Sequence, residues 1–217
     1  MRRTLLICAG LLGSAAIAAP VASAAPASII GTGGDVFAPT TYAHDAGTVA
    51  SFTSTGGTHN VTAFAGGPDG QALFRSETIS SGSTPVNGTQ YIGAGGHAFL
   101  CTIHPSTMQG TLNVSGTPLA RPELKAKVKS KSLDQAVGQS AVKVKVTITG
   151  GSGERAEVDL KLGKRKIGSG ATRKTKTVKV KLTKKGRGLL ARKNKAKVKA
   201  EASIDFGSPA KATRTLK

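Results

Sequence analysis

The sequence predicts an all-β protein built as two successive β-sandwiches, and three observations carry that expectation. Short apolar runs in the first half are separated by turns of Gly, Ser, Thr and Pro. Runs in the second half alternate strictly between aliphatic residues and lysine. The charge divides sharply between the halves. Of 31 Lys and Arg against 11 Asp and Glu, the segment 25–120 holds only Arg75, against Asp35, Asp45, Asp69 and Glu77. The segment 121–217 holds 28 basic and seven acidic residues, so nearly all of the +20 belongs there. All four histidines and seven of the eight aromatic residues lie in the first half, with Phe206 alone in the second. Thr117-Pro118 and Arg121-Pro122 bracket the junction. The expected division is 1–24, 25–118 and 119–217.

Residues 1–24 are expected to be a secretory signal peptide. Arg2 and Arg3 precede an uncharged run from Thr4 to Ala19, and Ala22-Ser23-Ala24 supplies a small-x-small cleavage pattern. The protein is therefore expected to be exported, to a periplasmic, envelope or extracellular location. Cys8 would leave with the leader, and Cys101 and Met108 would be the only cysteine and methionine that remain. One thiol excludes an internal disulfide and a Cys-only zinc site. With 38% apolar residues, the composition argues against a multi-span membrane protein.

In the first half, Thr48–Phe52, His59–Phe64 and His97–Cys101 are read as strands. In the second, Val142–Ile148, Val178–Leu182 and Val198–Ala200 alternate with period 2, as half-buried antiparallel strands do. Thr183–Lys193 is the one stretch read as a possible short helix, weakened by Gly186 and Gly188.

The chemistry concentrates in Cys101-Thr102-Ile103-His104-Pro105-Ser106-Thr107-Met108, with a second imidazole, His59, 42 residues earlier. A thiolate, a thioether and two imidazoles make the donor set of a trigonal His₂Cys copper site with a weak axial Met. Three other readings stand beside it. Cys101 as a buried small apolar residue is one. A nucleophile working with His104, or with His59 and Asn60, is another, although nothing nearby builds an oxyanion hole. Catalytic zinc is the third, and it would want a second cysteine. His44 and His97 lie in no cluster, so a second catalytic metal centre is not expected, nor is enzymatic activity.

These residues resemble the cupredoxins, the small blue-copper proteins that include plastocyanin, pseudoazurin and amicyanin. The likeness runs through Phe37-Ala38-Pro39, Gly47-Thr48-Val49 and Phe52, then His59-Asn60-Val61. It ends in Gly96-His97-Ala98-Phe99-Leu100-Cys101 followed by His104-Pro105, Met108, Gly110 and Val114. The resemblance implies a Greek-key sandwich holding one type 1 copper, with His59, Cys101 and His104 as equatorial ligands and Met108 as axial ligand. It also implies that Asn60 bonds across to the ligand loop and that His104 is the ligand nearest the surface. The spacing Cys-x₂-His-x₃-Met falls between that of amicyanin-like loops and that of plastocyanin. His97 stands where relatives often carry an aromatic residue, and is read as a core or rim residue.

The second half resembles the Lys-rich β modules appended to secreted bacterial proteins, in Lys166–Gly170 and Leu182–Arg187, which implies an Ig-like sandwich and no activity. Its positive field suits anionic wall polymer or a membrane surface. The plainer alternative is that the lysines form the solvated face of each strand and block edge pairing. One aromatic in this half gives no platform for stacking bases, so no specific nucleic acid is expected. The expected function is single-electron transfer between unidentified redox partners by an exported, monomeric protein. The alternatives are copper storage without a redox partner and a wall-binding structural role.

Overall fold

The computed structural model describes residues 25–217, so the expected leader lies outside the described residues. Eight strands occupy the N-terminal part: β1 (Ser28–Thr32), β2 (Val36–Phe37), β3 (Thr41–Asp45), β4 (Ala50–Ser54), β5 (Thr62–Ala63), β6 (Gly82–Val86), β7 (Gly95–Leu100) and β8 (Gln109–Ser115). They form two four-stranded sheets, in the orders β2-β1-β4-β6 and β3-β8-β7-β5. The pairs β1/β4 and β3/β8 run parallel and the others antiparallel. The inner faces enclose Phe37, Phe52, Phe74 and Phe99, each essentially without solvent contact. Phe99 is the hub. Its ring meets Phe37 edge-on at 4.9 Å and Phe74 at 6.3 Å, spacings at which aromatic pairs attract beyond simple burial. Across the ladder Phe99 faces Gly110, where an added Cβ would come within 2.6 Å of the ring. Only glycine leaves room for the aromatic to lie over its neighbour.

The C-terminal part carries β9 (Glu123–Val128), β10 (Ala141–Thr149), β11 (Ala156–Leu162), β12 (Arg165–Thr172), β13 (Lys176–Leu182), β14 (Ala196–Ser203) and β15 (Ala210–Leu216). These hydrogen-bond in the order β15-β14-β11-β12-β13-β10-β9. The two ends of this sheet come together. Leu133 N–H donates to Lys217 O, Lys217 N–H to Lys131 O, and Arg214 Nη1 to Val128 O. Inside lies a second apolar cluster built on Val142, Val144, Val146, Val158, Leu160 and Val198, separate from the aromatic one. The alternation of the sequence is therefore a core face and a lysine face.

The stretch read as a possible helix is one: α2 (Lys184–Ala191) is capped by Thr183, whose hydroxyl accepts from Gly186 N–H. Gly186 is there for packing, since an added Cβ would lie 2.2 Å from Ile167 O. A further helix, α1 (Leu133–Gly138), was not expected; Ser132 caps it by accepting from Gln135 N–H. Among the described residues no helix is long and apolar enough to cross a membrane.

The two parts meet through specific contacts. Phe206 backbone N–H donates to Asp69, and the Arg75 guanidinium lies 4.5 Å over the Phe206 ring while pairing with Asp69 and Asp205. Tyr91 donates its hydroxyl hydrogen to Glu154. The single aromatic of the second half thus sits at the junction.

Candidate metal centre

Three segments converge at one end of the N-terminal sandwich. His59 precedes β5 and is held by a two-way backbone bridge to Ile79, at 2.9 and 3.0 Å. The run expected as a strand over His59–Phe64 is a strand only at Thr62–Ala63. Asn60 diverts it. Its side chain accepts from Thr102 N–H (2.9 Å) and donates to the hydroxyls of Thr102 (2.8 Å) and Thr78 (3.0 Å). The expected link from Asn60 to the cysteine loop is present.

Cys101 follows β7 and is fully buried. The loop after it closes on itself: Met108 N–H donates to His104 O and Cys101 N–H to Met108 O, both at 2.9 Å. This fold of the chain turns His104 back toward the thiol, with Nδ1 3.9 Å from Sγ. His59, Cys101 and His104 each offer a ligand atom within 4.8 Å of the other two, and they are the one such group of His, Cys, Asp and Glu among the described residues. The imidazole rings lie 5.1 Å apart. His59 has no side-chain exposure, whereas His104 is 28% exposed and is the histidine nearer the surface.

The nitrogens of His59 are unequal. Nε2 lies 2.9 Å from Gly56 O, which selects the tautomer with its hydrogen there. Nδ1 is left as a bare acceptor, and it is buried without a hydrogen-bond partner. Such an orphan costs about 1–3 kcal/mol unless something occupies its lone pair. A metal cation does so, and a thiol, two imidazoles and a dry setting fit copper. Gly57, at φ +79°, lets the backbone pass the ring, for a Cβ there would reach 2.6 Å from Nε2.

Met108 is fully buried at the far end of the loop. It packs on Gly31, where an added Cβ would lie 2.8 Å from Met108 Cε. His97 lies at the rim with Nε2 2.9 Å from Gly93 O. His44 is buried elsewhere, its Nδ1 accepting from Ala27 N–H, and burial pushes it below the ordinary imidazole range.

Solved structures similar to this chain include a purple cupredoxin from Nitrosopumilus maritimus, 20% identical over 41% of this chain and 99% of that one, with a TM-score of 0.33. Auracyanin A, a "blue" copper protein from Chloroflexus aurantiacus, is 19% identical over 42% and 100%, with a TM-score of 0.34. An amicyanin variant in its reduced Cu(I) form is 18% identical over 42% and 82%, also at 0.34. No protein-family model matches the chain, and neither does any curated protein.

Asp35 was not among the expected residues. It occupies the tip between β1 and β2 at φ +55°, and its Oδ1 is within 4 Å of Nε2 of both histidines. Gly33-Gly34 marks a turn there, but no spacing in the sequence ties that turn to His59 or His104.

Proposed function

We propose that this protein is an exported type 1 copper protein that passes single electrons, in which His59, Cys101, His104 and the thioether of Met108 would hold one copper. Copper bound there would supply a one-electron couple between Cu(I) and Cu(II). The observation that carries this reading is the buried, unpartnered Nδ1 of His59, in a residue that groups with the Cys101 thiol and His104. The chain's own residues prepare the rest. Gly56 fixes the His59 tautomer, Asn60 ties the two ligand segments together, and the closed loop holds His104. A donor set held this rigidly loses little energy in rearrangement. The exposed edge of His104 gives a redox partner a place to approach.

In the same reading the chain divides at residues 118–119, and the second domain is Ig-like. Lettered a to g in chain order, its strands run g-f-c-d-e-b-a. An Ig sandwich with layers a-b-e-d and c-f-g, joined through c and d, would have that order, which supports the reading.

Adding Cu(II) to the purified protein is the test. Strong visible thiolate-to-copper absorption is expected, lost completely in Cys101→Ala. A colourless protein that takes up only zinc would overturn the proposal.

A further inference from the structure

The lysines of the C-terminal sheet fall into two populations that the sequence does not separate. On β11, β12 and β14 three of the four are neutralised, Lys197 being the exception. Lys161 and Lys199 both pair with Glu201, and Lys166 pairs with Asp159. The two ammonium groups hold the Glu201 carboxyl at about 2, well below the ordinary value of 4.5.

On β9, β10 and β13 nothing neutralises them. Lys125, Lys127, Lys143, Lys145, Lys179 and Lys181 all project from the outer face, opposite the buried valines. Lys127 stands directly across from Lys145, and Lys143 across from Lys179. None of the six has an ion-pair partner among the described residues. Glu123, at the end of β9, is the one acid on these strands. Like charges set opposite each other, with side chains roughly 4.5–5.5 Å apart, destabilise a sheet. A face that only needed solubility would interleave the signs, as the other face does.

The shape adds to the charge. β12 and β13 pair only at Gly168/Leu182 and Ser169/Lys181 and then part. Between them runs an open groove of about 330 Å³ lined by Ser169, Ala171, Lys176, Lys179 and Lys181. Along β13, Lys179 and Lys181 are about 7 Å apart, two strand residues. A linear chain with a phosphate on every short repeat matches that period. The ligand chemistry is further limited by what the face lacks. The one aromatic past residue 120, Phe206, is buried at the junction, so no base can stack here. The exposed large apolar residues Val36, Val49, Phe64, Ile103 and Leu119 all precede residue 120, so nothing on the face enters lipid. Lysine ammonium groups act as point charges without the bidentate geometry of arginine.

We propose that the β9-β10-β13 face and its groove bind a linear polyol-phosphate polymer, through repeated lysine–phosphate contacts. This surface is independent of the metal reading.

The experiment measures binding of the full chain to purified poly(glycerol phosphate), alongside two triple variants of equal charge. Lys143→Gln/Lys145→Gln/Lys179→Gln removes three of the six unpaired lysines, and Lys161→Gln/Lys166→Gln/Lys199→Gln removes the three paired ones. The first is expected to lose at least tenfold in affinity and to melt no lower than the parent, since repulsion is relieved. The second is expected to stay within twofold. Equal loss in both would reduce the effect to net charge and overturn the proposal. So would tighter binding to phosphatidylglycerol/phosphatidylcholine vesicles or to duplex DNA, or no binding at all.

Discussion

Oδ1 of Asp35 lies 3.6 Å from Nε2 of His104, whose other ring nitrogen, Nδ1, is the one 3.9 Å from the Cys101 sulfur. The same oxygen is 3.8 Å from Nε2 of His59. A fixed negative charge at the outer nitrogens favours the more positive, oxidised form of a metal held at the inner ones. Asp35→Asn keeps the side-chain size and the tolerance for positive φ. It should keep the visible absorption while shifting the redox equilibrium about tenfold toward Cu(I), some 59 mV upward for one electron. Voltammetry on the two proteins checks it. An unchanged potential with the colour retained would remove Asp35 from this role without touching the ligand assignment.

Gly31→Ala is expected to displace Met108, because the new methyl would meet Cε at 2.8 Å and the Phe52 ring at 3.0 Å. Overpacking of this kind costs about 1–3 kcal/mol. The copper-loaded variant should show an altered electron paramagnetic resonance spectrum with the thiolate absorption still present. An unaltered spectrum would place Met108 outside the metal's coordination.

Asn60→Ala leaves Thr102 N–H, and with it the cysteine loop, without its partner across the gap. Losing one such bond with a part-buried group left unmade costs about 1–3 kcal/mol, read by denaturant unfolding. Copper affinity should fall about 10–100-fold, as for other groups that position metal ligands, read by competition with a chelator.

The junction should loosen in acid. Burial pushes Asp69 up, but the N–H groups of Phe206 and Gln71 and the Arg75 guanidinium outweigh it and hold the carboxyl below its ordinary 3.8. Glu154 is likewise raised by burial, and held below 4.5 by Tyr91 and Ser152. A carboxyl lowered by folding contributes stability that is whole above its unfolded value and is lost as pH falls through the folded one. The melting temperature should therefore be level above about pH 5 and fall below about pH 4. Small-angle scattering should report the two parts separating over the same range. A level melting curve through about pH 3 would exclude this account.

The grouping of His59, Cys101 and His104 was legible because it draws on scarce residues: the only Cys and Met past residue 24, with a histidine three residues after the Cys. The strands of the second half were legible because each valine–lysine alternation has one buried and one wet face. What escaped depends on distance along the chain. Asp35 reaches His104 only because a tight turn after β1 folds over the loop, and Gly31 matters only because Met108 arrives against it. Gly186 looked like a helix breaker because the carbonyl of Ile167, 19 positions earlier, could not be seen. The cap of α1 was in plain view as Ser132-Leu133-Asp134-Gln135, but its six-residue helix has no apolar period to announce it.

The facing pairs Lys127/Lys145 and Lys143/Lys179 also make ionic strength a structural variable. Charges a few ångströms apart on an open sheet repel strongly when the Debye length is about 30 Å, at 0.01 M salt, and weakly when it is about 3 Å, at 1 M. Melting temperature should rise with sodium chloride across that range, opposite to the trend for a fold braced by surface ion pairs, and a flat or falling curve would contradict it. Dilution then acts on the C-terminal half as a mild denaturant, and any polyanion laid along the face acts on it as brine does.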